Sequence, residues 1–156
     1  MSTTTSNQTS SRPVGDADHV QLSRLVIEAA WRVDLGRADT LHELFVEDAT
    51  LTLDDTVLKG WEQIQEWGRS AVEAHTFEGI RHVCGNMRFF ATGDDIAEGI
   101  TVLTVYFDTE HEAPGTSVPW TVGEDHDKFV RTEDGWRLSS RRWVSLFERP
   151  APGPSR

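Results

Sequence analysis

The chain has 156 residues, 37% of them hydrophobic, which suits one domain burying about two-thirds of its unfolded surface and leaves no material for a second core. Asp and Glu outnumber Lys and Arg by 26 to 15, giving a formal charge of −11 with no basic run to offset it, so a nucleic-acid partner would meet repulsion. The first residues lack the apolar run of a secretory signal and no window approaches the ~20 apolar residues of a membrane span, so no membrane partner and a cytoplasmic location are expected.

Residues 1–15 are Ser/Thr-rich and aperiodic, and are expected to be a disordered tail ahead of one domain over residues 16–148. Asp18 and Gln21 are spaced as a capping-box-like helix start, and Leu22, Leu25, Val26, Ala29 and Val33 then recur at helical spacing up to Gly36. Asp34 falls in the last turn at the edge of this apolar face. A carboxylate there opposes the negative end of the helix dipole and needs a partner, unless it only orients the neighbouring turn. Thr40 and Glu43 have capping-box spacing for a short second helix, buried through Leu41, Leu44 and Phe45 and ended by Glu47-Asp48. Ala49 to Leu53 alternates as a short strand, Asp54-Asp55 marks a turn, and Gly60 opens a third helix carrying Trp61, Ile64, Trp67 and Ala71, tryptophans at core spacing.

Gly79 to Phe90 reads as a strand with His82, Cys84 and Asn86 on one face, since side chains alternate with period two. A titratable ring, a thiol and an amide among apolar neighbours make a poor core and a plausible pocket wall. Cys84 is the only cysteine, which excludes an internal disulfide and a multi-cysteine zinc site; it reads as a small buried residue rather than a nucleophile. After Gly93-Asp94-Asp95, Ile96 to Asp108 is a long strand, apolar on both faces through Ile100, Val102, Leu103 and Val105. Such a strand is covered on both sides, by helices on one and by a second copy of the chain on the other, so a homodimer is expected. Glu110 to Gly123 reads as a long loop whose lone Trp120 suits a lid. Thr121 to Thr132 and Trp136 to Glu148 form a last hairpin across Glu133-Asp134-Gly135, and residues 149–156 form a loose Pro-rich tail. Glu124-Asp125-His126-Asp127 invites a metal reading, but consecutive strand residues point to opposite faces, so no metal site is assigned. Arg141, Trp143 and Ser145 share one face of the final strand, and Arg142 and Val144 share the other.

The order of these elements, together with Val33-Asp34-Leu35-Gly36, Leu44-Phe45-Val46-Glu47-Asp48-Ala49, Lys59-Gly60, Arg81-His82 and Arg131-Thr132-Glu133-Asp134-Gly135-Trp136-Arg137, resembles the SnoaL-like branch of the nuclear-transport-factor-2-like superfamily. The resemblance covers nearly all of Asp18 to Phe147. It implies an α+β fold, three N-terminal helices packed on a curved, mainly antiparallel sheet to form a cone with an apolar cavity. Among its members the pair Asp34 and His82 looks most like the arrangement in scytalone dehydratases and bile-acid 7α-dehydratases, where such a pair meets inside the cone. A second histidine of the scytalone dehydratases is replaced here by Tyr106 and Phe107. The general-base aspartate of ketosteroid isomerases corresponds to Leu53 or Asp54, and their acidic oxyanion donor to Asp127, or to Asp125 or His126 after a one-residue shift. By the same resemblance Arg141 and Trp143 face the cone, with Arg141 either anchoring a substrate carboxylate, phenolate or enolate or forming only a surface salt bridge.

The expectation is an enzyme without cofactor: a dehydratase, isomerase or cyclase acting on a polycyclic, aromatic or steroid-like carbonyl compound. His82 shuttles the proton, Asp34 orients it, and Leu53, Asn86, Tyr106, Trp120, Asp127, Arg141 and Trp143 contact a hydrophobic or aromatic substrate. The alternative is a non-catalytic ligand-binding or assembly subunit of the same fold.

Overall fold

A computed structural model of the chain describes residues 11–107 and 118–148. In chain order it runs β1 (Arg12–Pro13), α1 (Asp16–Asp34), a 3-10 helix (Ala38–Leu44), β2 (Phe45–Leu53), β3 (Thr56–Lys59) and α2 (Gly60–Glu73). Four long strands follow, β4 (Ile80–Ala91), β5 (Ile96–Phe107), β6 (Thr121–Thr132) and β7 (Gly135–Glu148). All strands join one sheet in the order β1-β4-β5-β6-β7-β2-β3, antiparallel except where β2 runs parallel to β7. Three helices thus pack on a curved, mostly antiparallel open sheet, the α+β arrangement the element order implies.

The helical repeat of apolar residues in α1 places Leu22, Leu25, Val26 and Ala29 against the inner face of the sheet. There they meet Leu51 of β2, Phe89 of β4, Phe129 of β6 and Leu138 of β7, with Ile64 of α2 closing the core from the other side. Leu22, Ile64, Phe129 and Leu138 are fully buried, and each such side chain contributes about 1.5–3 kcal/mol. Gly68 lets α2 cross the 3-10 helix at close range: a Cβ there would overlap the Ala38 carbonyl and lie 2.8 Å from Asp39 N. A second apolar cluster, Ile80, Leu103 and Val105 with Val33, Phe77, Phe107 and Trp143 around it, occupies the end of the sheet where α1 stops.

Several local expectations are corrected. The helix starts at Asp16 with Gly15 at the N-cap and no side-chain cap. Asp18 instead accepts hydrogen bonds from Trp136 Nε1 (3.0 Å) and Arg131 Nη2 (2.7 Å), which tie α1 to the last hairpin and hold the Asp18 carboxyl below its usual pKa. Thr40 and Glu43 form no capping box, because Thr40 Oγ1 donates to Arg37 O and Glu43 pairs with Arg32. The second helix is a 3-10 turn that ends before Phe45, which already pairs with Leu138 in the parallel ladder, so β2 begins four residues earlier than Ala49. Two short strands were not expected. Thr56–Lys59 is too brief to show an alternation, and Arg12–Pro13, inside the stretch read as a tail, pairs with Phe90 and Ala91. β6 runs over Thr121–Thr132 as the hairpin reading expects, so the loop read up to Gly123 ends before Thr121. Of the stretch Glu110 to Gly123 read as a lid, residues 110–117 lie outside the described residues, as do residues 1–10, 108–109 and 149–156.

Candidate active site

The α1 helix stops at Asp34, and the next strand to come near is the start of β4. Asp34 Oδ2 accepts the backbone N–H of His82 at 2.9 Å, and Oδ1 accepts from the His82 ring Nδ1 at 2.6 Å. The Asp34 backbone carbonyl accepts from Arg81 Nη1 at 3.1 Å. A carboxylate at the negative end of a helix is unfavourable alone; here two N–H donors and a neighbouring guanidinium offset the dipole. An ionised carboxylate only accepts, so Nδ1 carries the hydrogen and the second ring nitrogen, Nε2, is left with its lone pair. Among the described residues nothing hydrogen bonds to Nε2. The Asp34 side chain is 4% exposed and that of His82 16%, so the pair is largely withdrawn from water.

Asn86 does not share this face. It has φ of 47°, a left-handed conformation that asparagine tolerates better than most residues, and it sits in a bulge where the β4–β5 register shifts between Gly85 and Arg88. The extra residue reverses the alternation, so His82 and Cys84 point inward, Asn86 is exposed, and Met87 and Phe89 return to the core. Cys84 packs against both apolar clusters. Burial pushes its thiol up to about 11, so at neutral pH it is a protonated packing group.

On β5 the inner face carries Ala97, Gly99, Thr101, Leu103 and Val105. Tyr106 lies on the opposite face, paired with exposed Arg81, and so is not part of the site; Ile96 and Ile100 are exposed on that outer side. On β6 both Asp125 and Asp127 point inward and are buried, while Glu124 and His126 pair with each other outside at 2.8 Å. The four-residue acidic run is therefore split across the sheet. Arg141 of β7 is 8% exposed and lies between the two aspartates. Its Nε and Nη2 each donate to Asp127 at 2.7 Å, a bidentate pair, and its Nη1 lies 3.2 Å from Asp125 Oδ2. Arg141 is thus neither a surface salt bridge nor a free anion anchor. Burial pulls its proton affinity down, but the two carboxylates more than offset that, so its pKa is raised.

One guanidinium shared by two buried carboxylates leaves a charge uncompensated, and the geometry decides where. Asp127 takes the bidentate contact. Asp125 is held by the single longer one, and its carboxyl is raised from 3.8 to about 6, chiefly by burial and further by Asp127, against the opposing pull of Arg141 and His82. Thr101, the residue opposite Asp125 on β5, is fully buried with Oγ1 lacking a hydrogen-bond partner among the described residues. Trp143 lies across the inner face over Gly123, where a Cβ would come 2.5 Å from the ring. Its ring borders the second apolar cluster.

The other expected contacts lie farther out. Leu53 is half-buried against the main core, and Asp54 is exposed in the β2–β3 turn with φ of 51°, so the first strand supplies no inward carboxylate. Trp120 is exposed and meets Phe107 edge to face at 5.9 Å, at the same end of the sheet as His82. A cleft of about 450 Å³ lined by Val33, Asp34, Ala71, Phe77 and Arg81 opens between the ends of α1 and α2.

Asp125 is expected only as an alternative to Asp127, whereas both face the interior, and Thr101 is not expected there at all. Asp125 was readable, since residues two apart in a strand share a face and Asp127 was already placed inside. Thr101 carried no signal, being one of two threonines in a mainly apolar strand.

The structure is similar to a candidate scytalone dehydratase from Novosphingobium aromaticivorans, with 17% identity over 84% of this chain and 85% of that one and a TM-score of 0.71. Aln2 from a Streptomyces species aligns at 24% identity over 86% of this chain and 94% of its own, with a TM-score of 0.71. An NTF2-like protein of cystatin-like fold from Novosphingobium aromaticivorans aligns at 24% identity over 86% and 85%, with a TM-score of 0.70. At these identities the likeness is one of fold. The sequence matches no curated protein significantly. The family model described as a SnoaL-like domain matches residues 17–142, most of the chain, so this protein belongs to the SnoaL-like domain family.

Proposed function

We propose that the protein is an acid–base enzyme that moves protons next to a carbonyl group, as a dehydratase, isomerase or cyclase of a polycyclic, aromatic or steroid-like compound. The observation that carries this reading is the 2.6 Å contact of Asp34 Oδ1 with His82 Nδ1. Asp34 holds one tautomer and offers a compensating charge to the ring when it becomes an imidazolium, so His82 Nε2 takes the α-proton. Asp125, protonated more readily than an ordinary aspartate, donates to the carbonyl oxygen as the enol forms, or to a departing hydroxyl that leaves as water. The second apolar cluster and Trp143 offer a surface for a flat apolar ring system. Neither proton transfer needs a cofactor. The exposed outer face of β5, with Ile96 and Ile100, suits a two-fold dimer.

The test is hydrogen–deuterium exchange at the α-carbon of cyclic ketones such as 2-tetralone in D₂O, followed by NMR. The intact protein accelerates exchange, and His82→Gln, which keeps hydrogen-bonding capacity but cannot trade a proton, loses about 10²–10⁴-fold of that acceleration. No acceleration, or acceleration that His82→Gln leaves unchanged, refutes the assignment.

A further inference from the structure

We infer that Arg81 is a positioning residue: it anchors the end of α1 to the free edge of β4 and so aims the Asp34 carboxylate at the His82 ring. This rests on the proposed pairing of Asp34 with His82 and adds a residue outside the cone to it.

At its start β4 has a strand on one side only. β1 pairs with β4 at Phe90 and Ala91, so among the described residues the edge from Ile80 to His82 meets no strand on that side. The end of α1 takes that place. The His82 N–H and the Ile80 carbonyl, two residues apart, face this same edge, because main-chain groups alternate sides along a strand. The N–H donates to Asp34 Oδ2 at 2.9 Å. The carbonyl accepts from Arg81 Nη1 at 2.5 Å, and the same nitrogen donates to the Asp34 carbonyl at 3.1 Å. One guanidinium nitrogen thus links the sheet edge to the last residue of the helix.

The Asp34 carbonyl is one of those a helix end leaves without an intrahelical partner, and Leu35 and Gly36 beyond it are exposed. Without Arg81 that carbonyl turns to water and the last turn frays. The carboxylate then pivots about its contact with the His82 N–H, and the 2.6 Å contact with Nδ1 is the one that lengthens. Arg81 also shields the pair. A cleft of about 450 Å³ opens beside Asp34 with Arg81 in its wall, yet the Asp34 side chain is only 4% exposed. Strand neighbours point to opposite faces, so Arg81 acts from the outer side while His82 points inward.

The measurement is long-range ¹H–¹⁵N NMR of the His82 ring at pH 8 in two variants. Arg81→Met keeps the apolar stem without a donor, and Arg81→Lys keeps a donor. Arg81→Met loses a charge-assisted hydrogen bond to the helix end, so its ratio of Nδ1–H to Nε2–H tautomer should fall roughly three- to tenfold, with Arg81→Lys within about twofold of wild type. Urea denaturation of the same proteins separates positioning from stability. Lower stability in Arg81→Met with an unchanged tautomer ratio overturns the proposal, as does a fall in Arg81→Lys as large as that in Arg81→Met. If Arg81→Met does not fold, Arg81→Gln, whose shorter side chain stops short of the helix end, carries the same reading. A wild-type ring with its hydrogen on Nε2 removes the Asp34–His82 pairing and this inference together. A wild-type ring with its hydrogen on Nδ1 that Arg81→Met leaves in place removes this inference alone.

Discussion

Replacing Asp125 by Asn should reverse part of the pH dependence of stability. In the folded protein the Asp125 carboxyl is raised from 3.8 to about 6, because burial opposes its ionisation more than Arg141 favours it. Well below pH 3.8 the group is protonated in both folded and unfolded chains. Between pH 4 and 6 the unfolded chain releases the proton while the folded one keeps it, so the folded state binds more protons and stability falls as pH rises. Above pH 6 the loss is complete. A shift of roughly two units at 1.36 kcal/mol per unit makes it about 3 kcal/mol. Asn has nearly the same shape and does not titrate. It forfeits the 3.2 Å contact with Arg141, but relative to the protonated acid that cost is a constant offset, and only the change with pH is read. Urea denaturation of both proteins at pH 4, 5, 6 and 7.5 gives the comparison. The variant should gain about 2–3 kcal/mol on the wild type between pH 4 and 7.5, since part of the loss has already occurred at pH 4. A difference that stays constant, or a variant that loses ground as pH rises, would mean that Arg141 fully compensates ionised Asp125 and that the interior holds no uncompensated carboxylate.

Gly68→Ala puts a methyl into the Ala38 carbonyl where α2 crosses the 3-10 helix, and backbone cannot rotate aside as a side chain can. It should cost about 1–3 kcal/mol or more, despite the better helix propensity of alanine, and thermal denaturation showing a stabilised protein would contradict the packing. Sedimentation velocity at micromolar concentration should show a dimer, with charged substitutions at Ile96 or Ile100 on the outer face converting it to monomer. A wild-type monomer under those conditions counts against the covered outer face.

Much of this arrangement was legible because period and spacing are local properties. The apolar repeat of α1 placed Asp34 at the helix end, and strand alternation placed His82 and Cys84 on one face and Arg141 with Trp143 on another. Alternation failed at Asn86, where a bulge inserts one residue and reverses every side chain after it; no local pattern in Gly85-Asn86-Met87 marks that insertion. Tyr106 was brought inward by analogy rather than by period, and its neighbour Phe107 is the residue that faces the apolar cluster. The role of Asp18 escaped because a helix-start carboxylate reads as a cap, whereas its partners, Arg131 and Trp136, lie more than a hundred positions along the chain. The reading of Arg141 as either a substrate anchor or a surface salt bridge misses its buried partners for the same reason. Its neutralisation by Asp127 depends on the β6–β7 register, which sets the two residues opposite each other and is a tertiary fact.

The central claim is that Asp34 fixes His82 in the tautomer that leaves Nε2 as the proton acceptor. Long-range ¹H–¹⁵N NMR on the His82 ring at pH 8 tests it without any substrate. Nδ1 should carry the hydrogen and Nε2 should show the shift of a bare acceptor nitrogen, and Asp34→Asn, with a folded spectrum, should abolish this preference. A ring protonated on Nε2 in the wild-type protein, or one whose tautomer Asp34→Asn leaves unchanged, contradicts it.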